Sequence, residues 1–130
     1  MKINRSTGYA FLAVCYIAKN QDKKITLSNS IADEYNIPLE YLLKIMQQLV
    51  RANILRSKRG PTGGFSLAKP ANKISMLEII EAVDGPMMSY LYLNELAPKD
   101  KFCVKAEKAY EKGVAGAKAI YEKAMVSDLL

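Results

Sequence analysis

Residues 36–70 read NIPLEYLLKIMQQLVRANILRSKRGPTGGFSLAKP, and their order decides the fold. Asn36 suits a left-handed residue closing one helix, and Pro38 is preset to start another. Over about 39–52, Leu42, Ile45 or Met46, and Leu49 recur at helical spacing and face inward. Glu40, Tyr41, Lys44, Gln47, Gln48 and Arg51 form the outward set, and Asn53 suits a second left-handed cap. Two strands follow, 54–58 and 65–67, joined into a hairpin by Gly-Pro-Thr-Gly-Gly.

Upstream, a first helix over about 7–19 has Ser6 or Thr7 as cap and Ala10, Val14 and Ile17 on one face. Thr26 is placed to cap a short second helix through Ile31 and Tyr35. Downstream, Ser75 and Glu78 make a capping box for a helix through Ile79, Ile80 and Val83, ended by Gly85 and Pro86. Three helices, a hairpin and a fourth helix spell a winged helix-turn-helix, mainly α with a small β-hairpin. This assigns 1–85 to a DNA-binding domain and 86–130 to a linker and dimerisation helix.

In that second part, 87–96 suggest a short helix, and 101–125 a long one. Phe102, Ala106, Tyr110, Gly113 or Val114, Ala117, Tyr121 and Ala124 make a stripe at spacings near four and three, a seam for a partner helix. Gly113 and Gly116 lower helix propensity by roughly 1 kcal/mol each and let two backbones approach. The expected dimer interface is therefore Phe102, Ala106, Tyr110, Gly113, Ala117 and Tyr121. Packing of the same stripe on its own domain is the alternative.

Composition narrows the function. Half of the 130 residues are hydrophobic, enough for one real core. No apolar run is long enough to span a membrane. The first twenty residues have a basic start and an apolar middle, but Tyr9, Tyr16 and the spacing of Ala10, Leu12, Ala13 and Ile17 favour a packed helix over a signal peptide. A cytoplasmic protein is expected. Two distant cysteines, Cys15 and Cys103, make no disulfide scaffold, and the absence of histidine argues against an enzyme using hydrolytic or metal chemistry.

The net charge of +6 is unevenly placed: residues 1–83 hold twelve Lys and Arg against six Asp and Glu, whereas 84–130 hold seven of each. Between Glu40 and Glu78 lie seven basic residues and no acid. Such a stretch attracts a polyanion, although a solvated basic surface has the same composition. Lys44 can donate to guanine, and Gln47 and Gln48 can bridge adenine. Glu40 can accept from cytosine or pair with Lys44. In the hairpin, Arg59 can enter an A·T-rich minor groove while Arg56 and Lys58 touch phosphates. Gly60, Pro61 and Gly63 keep the wing narrow and rigid. Ser28, at the second helix, completes the expected DNA-contacting set. No Gly-Lys-Ser/Thr enters a helix, which argues against a phosphate-binding P-loop.

The first-helix segment GYAFLAVCYIA and the marks IP..YL.KI...L, S.RGP.GGF.LA and I....II.AVDG resemble the winged-helix regulator family that includes the iron–sulfur cluster regulator IscR, the nitric-oxide-sensitive repressor NsrR and the cysteine-metabolism repressor CymR. The resemblance implies a homodimeric bacterial transcription factor, a probable repressor on a palindromic operator, with its long helix crossing to the partner. It assigns major-groove reading to Tyr41, Lys44 and Gln48, beside Glu40, and minor-groove reading to Arg59. Cluster-binding members carry three closely spaced cysteines before or within the long helix, and this chain has only Cys103 there. No iron–sulfur cluster or other metal is expected, unless one is shared across a dimer or completed by carboxylates. Three inputs could replace it. One is Cys103 as a redox switch, its pKa lowered by Lys99, Lys101, Lys105 and a helix N-terminus, against the alternative of an inert leftover thiol. Another is a small effector near Met87, Met88, Tyr90 and Tyr92. The third is a protein partner. Cys15 reads as a buried small hydrophobe. A protein-interaction adaptor that keeps the fold, and an RNA-binding role, are the competing readings.

Overall fold

In a computed structural model that describes residues 4–130, the chain runs α1 (Arg5–Lys19), α2 (Ser28–Tyr35), α3 (Leu39–Arg51), β1 (Leu55–Lys58), β2 (Gly64–Leu67), a single 3-10 turn (Ala71–Lys73), α4 (Met76–Asp84), α5 (Leu93–Leu96), α6 (Lys101–Lys123) and α7 (Val126–Leu129). Residues 1–3, the basic start weighed above for a signal peptide, lie outside the described residues. The expected left-handed residues are present: Asn36 has φ 53° and Asn53 has φ 60°. They delimit α3, which buries Leu42, both Ile45 and Met46, and Leu49. Each large apolar side chain buried this way contributes roughly 1.5–3 kcal/mol. α1, α3 and α4 pack on one another around Ala10, Val14, Ile31, Ile54 and Ile79.

The capping box forms as expected. Glu78 N–H donates to Ser75 Oγ at 3.1 Å, and Ser75 N–H donates to Glu78 Oε2 at 2.8 Å. Glu78 also takes the ammonium of Lys69, at the foot of the hairpin. Desolvation pushes the Glu78 pKa up, but the hydrogen bonds from Lys69 and Ser75 and the Lys69 charge outweigh it and hold the carboxyl below its ordinary value.

Four elements depart from expectation. α1 starts at Arg5 with Asn4 as its N-cap, so neither Ser6 nor Thr7 caps it, and within 87–96 only Leu93–Leu96 is helical. Thr26 does not cap α2, whose N-cap is Leu27. Thr26 is buried, and it exchanges both backbone hydrogen bonds with Phe65 at 2.8 Å each. A backbone pair satisfies a donor and an acceptor on each residue, which a hydroxyl cap cannot. The long helix also ends at Lys123 rather than near 125. Ala124 O accepts Met76 N–H at 2.7 Å and Val126 N–H donates to Ile74 O at 2.8 Å, so the chain turns back and Val126 enters the core.

The Thr26–Phe65 bridge leaves no room beside it. A Cβ on Gly64 would lie 2.4 Å from Ile25 Cγ2 and 2.7 Å from Thr26 O. Gly64→Ala is therefore expected to cost about 1–3 kcal/mol in urea unfolding. Gly60→Ala, whose Cβ meets nothing within 4 Å, should cost less.

Candidate nucleic-acid interface

The hairpin register pairs Leu55 with Leu67, Arg56 with Ser66, Ser57 with Phe65 and Lys58 with Gly64. Strand alternation therefore buries Leu55 and Phe65 and puts Arg56 and Lys58 together on the outer face. At the tip, Gly63 N–H donates to Gly60 O at 2.9 Å, closing a turn with Pro61 in its second position. Gly63 has a different role from the one expected. Its missing Cβ would lie 2.2 Å from Lys58 O, so the glycine admits the hairpin's own backbone rather than a ligand.

Two shallow grooves collect most of the expected contact residues. Tyr41, Lys44, Gln47, Gln48 and Arg51 line one along α3, with Ser6 and Ile45. Ser28, Gln47, Lys58, Arg59, Gly60 and Gly63 line the other between α2, α3 and the wing, with Leu27, Ser57, Gly64 and Phe65. Gln47 belongs to both. Glu40, Arg56 and Pro61 line neither. Ser6 was read from the sequence only as a helix cap, and Leu27 and Ser57 were not singled out. They are small or apolar residues, and only the packing of α1 and α2 beside α3 brings them to the grooves.

The electrostatics favour an anion. Among the described residues the single ion pair is Lys69–Glu78, so Lys44, Arg51, Arg56, Lys58 and Arg59 carry uncompensated charge. Glu40 does not pair with Lys44, and it sits in the first turn of α3, where the helix dipole favours an acid. Tyr41 is held at both ends: its hydroxyl meets the Ser6 hydroxyl, and its ring stands edge-on to Tyr9 with centroids 5.7 Å apart. This ties the start of α3 to the start of α1.

In the second part of the chain, the expected stripe divides. Tyr110, Ala117 and Tyr121 are half-buried, and Tyr110 and Ala117, with Ala109 and Gly113, line a groove beside Met87 of the preceding linker. The open line runs instead through Phe102, Ala109, Gly113, Gly116 and Ile120, with Phe102 78% and Ile120 68% exposed. α4 packs against α6 and claims the neighbouring face. Of the four residues considered for an effector site, Met88, Tyr90 and Tyr92 line a common cleft with Glu95, Glu107 and Glu111, while Met87 lies in the adjacent groove. Cys15 is half-buried rather than buried.

Cys103 reverses the expected shift. Desolvation first, then the charge and hydrogen bond of Asp100, raise its pKa. Asp100 is the N-cap of α6, its Oδ1 accepting Cys103 N–H at 3.0 Å. The acid thus occupies the helix terminus that would have favoured a thiolate.

The helix pair with its cationic second helix and adjoining wing define the winged helix-turn-helix class. A family profile described as Rrf2, iron-dependent transcriptional regulator, matches residues 3–127. The chain belongs to the Rrf2 family of transcriptional regulators. It is 38% identical over 80 residues to a Rhodopseudomonas palustris protein provisionally named HTH-type transcriptional regulator BadM, covering 62% of this chain and 51% of the relative. It is 41% identical over 81 residues to a similarly named Aquifex aeolicus protein, covering 62% of this chain and 56% of that one. The matched segments thus span about half the length of these relatives. The structure of CymR, the global cysteine regulator of B. subtilis, superposes with a TM-score of 0.82 at 23% identity, covering 99% of this chain and 95% of that one, a likeness of fold.

The iron dependence in the family description can be set against the donors present. Cys103 is the only cysteine on or near α6, Cys15 lies on α1, and there is no histidine. Among the described residues no three of Cys, Asp, Glu or His gather as metal ligands. This donor set does not fit a cluster held by protein thiolates.

The raised thiol gives a direct expectation. In a Cys15→Ser background, the pH midpoint for iodoacetamide alkylation of Cys103 should lie above that of the urea-unfolded chain, and Asp100→Asn should lower it. A native midpoint below the unfolded one would contradict the assignment.

Proposed function

We propose that this chain is a sequence-specific DNA-binding regulator that works as a homodimer and represses by occupying its promoter. The observation that carries this is Gln47, shared by the α3 groove and the wing groove, with Lys44 and Arg51 lining the first and Lys58 and Arg59 the second. Helix and wing thereby make one continuous cationic surface. In this reading α3 lies in the major groove, where Lys44 donates to guanine and Gln47 and Gln48 to adenine. Arg59 reaches the adjoining minor groove, and Arg56 and Lys58 take phosphates. Residues 1–85 read the DNA and 86–130 join the protomers. The protein acts in the cytoplasm, and among the described residues no helix is long and apolar enough to cross a membrane.

The proposed dimer seam is Phe102, Ala106, Ala109, Gly113, Gly116 and Ile120, which follow one another on α6 at alternating steps of four and three. Tyr110, Ala117 and Tyr121 are left to packing within the chain. Two-fold symmetry then calls for a palindromic operator. The missing thiolates favour a regulator that works without an iron–sulfur cluster.

Fluorescence anisotropy with a duplex recovered by selection from random sequence tests the reading. Log affinity should fall with log salt at a slope of about −4, from Arg56 and Lys58 in each of two protomers, and Arg59→Ala or Lys44→Ala should each cost about 1–3 kcal/mol of binding at fixed salt. Unchanged affinity in the double variant, with no salt slope, would refute it. Ile120→Glu should convert the dimer to monomer in analytical ultracentrifugation with an unchanged circular dichroism spectrum.

A further inference from the structure

The DNA-reading scheme leaves Glu107 unexplained. Its side chain projects from the second turn of α6 and is only 3% exposed. Among the described residues no cation pairs with it. Oε2 accepts Leu91 N–H at 2.7 Å and Oε1 accepts Leu93 N–H at 3.0 Å. Two neutral donors orient the carboxylate but do not neutralise it, and a carboxylate has further lone pairs to offer. Buried charges are costly unless an opposite charge is near.

The same two hydrogen bonds shape the surroundings. By fixing residues 91 and 93 they set the segment that presents Tyr90 and Tyr92, whose rings lie 6.2 Å apart and tilted by 45°. Both tyrosines are more than half exposed, and both line a cleft of about 470 Å³ beside Glu107. Met88, Asn94, Glu95 and Glu111 complete its lining, and no Lys or Arg lines it. In a chain of net charge +6, this is a local reversal of sign.

We propose that this cleft binds a small organic cation of the alkylammonium class. Aromatic faces and a thioether solvate a diffuse, alkylated positive charge, and the carboxylates supply the counter-charge that Glu107 lacks. A compact inorganic ion would gain little from two tyrosine rings. The cleft also stays open in the proposed dimer. Glu111 lies two residues from Gly113, so at 100° per residue the two point about 160° apart around α6. Binding would fasten the Tyr90–Tyr92 segment to the helix proposed to join the protomers, which places the cation where an effector would act.

The site stands independently of DNA binding, so it is tested without DNA. The full chain is titrated by isothermal calorimetry with choline and with 3,3-dimethylbutanol, its uncharged isostere. Choline is expected to bind saturably at one site per chain, about tenfold more tightly than the alcohol. Tyr90→Leu and Glu111→Gln, both at exposed positions, should each weaken choline severalfold with unchanged circular dichroism and unchanged DNA affinity. Equal binding of choline and the alcohol, no saturable binding of choline, or full affinity in both variants would overturn the proposal. A failure of DNA binding alone would leave it standing.

Discussion

The pair of backbone hydrogen bonds between Thr26 and Phe65 is the constraint on which the reading surface depends. A two-stranded hairpin has little stability by itself and no fixed direction. Here β2 is tied across to Thr26, two residues before α2, and the close approach is possible because Gly64 carries no Cβ. The wing is thereby held against the helix pair, and Gln47 of α3 comes to line the same groove as Lys58 and Arg59. Leu55 and Phe65 seat the hairpin in the core, and the bridge fixes its edge beside the helix pair. The basic helix and the basic hairpin are thereby one surface.

A second set of contacts links this surface to the long helix. The end of α6 turns back so that Ala124 and Val126 pair with Met76 and Ile74, placing Met125 opposite Ser75. Ser75 caps α4 through Glu78, and Glu78 holds Lys69 two residues beyond β2. A physical path of hydrogen bonds thus runs from the end of α6 to the foot of the wing. At its other end α6 carries Glu107, which fixes the linker. Movement of α6 against a partner helix would act on the wing through these few contacts.

Much of this was legible in the sequence because it rests on local chemistry. Asn36 and Asn53 announce left-handed residues, Ser75 and Glu78 a capping box, and Gly60 to Gly64 a tight hairpin, each within a few residues. What the sequence hid depends on distant partners. Thr26 looks like a helix cap until Phe65 claims its backbone. The α6 stripe drawn from 102 to 121 divides because α4 packs against α6: Tyr110 is half-buried, while Ala109, Gly116 and Ile120 are exposed. Glu107 looks like a solvated helix glutamate, and only the return of the linker buries it. The lysines around Cys103 suggested a reactive thiol, but desolvation first and then the N-cap Asp100 push its pKa the other way. Of the candidate contacts, those on α3 and the wing were legible as types of residue, while their convergence on Gln47 was not.

The central claim is that α3 and the wing engage adjacent grooves of one duplex. Chemical interference footprinting measures this most directly, by methylating guanine N7 in the major groove and adenine N3 in the minor groove of a selected operator. The account predicts N7 interference in two symmetric half-sites, N3 interference immediately beside each, and loss of the N3 signal alone in Arg59→Ala. Interference confined to one groove, or an N3 pattern unchanged by Arg59→Ala, would contradict it.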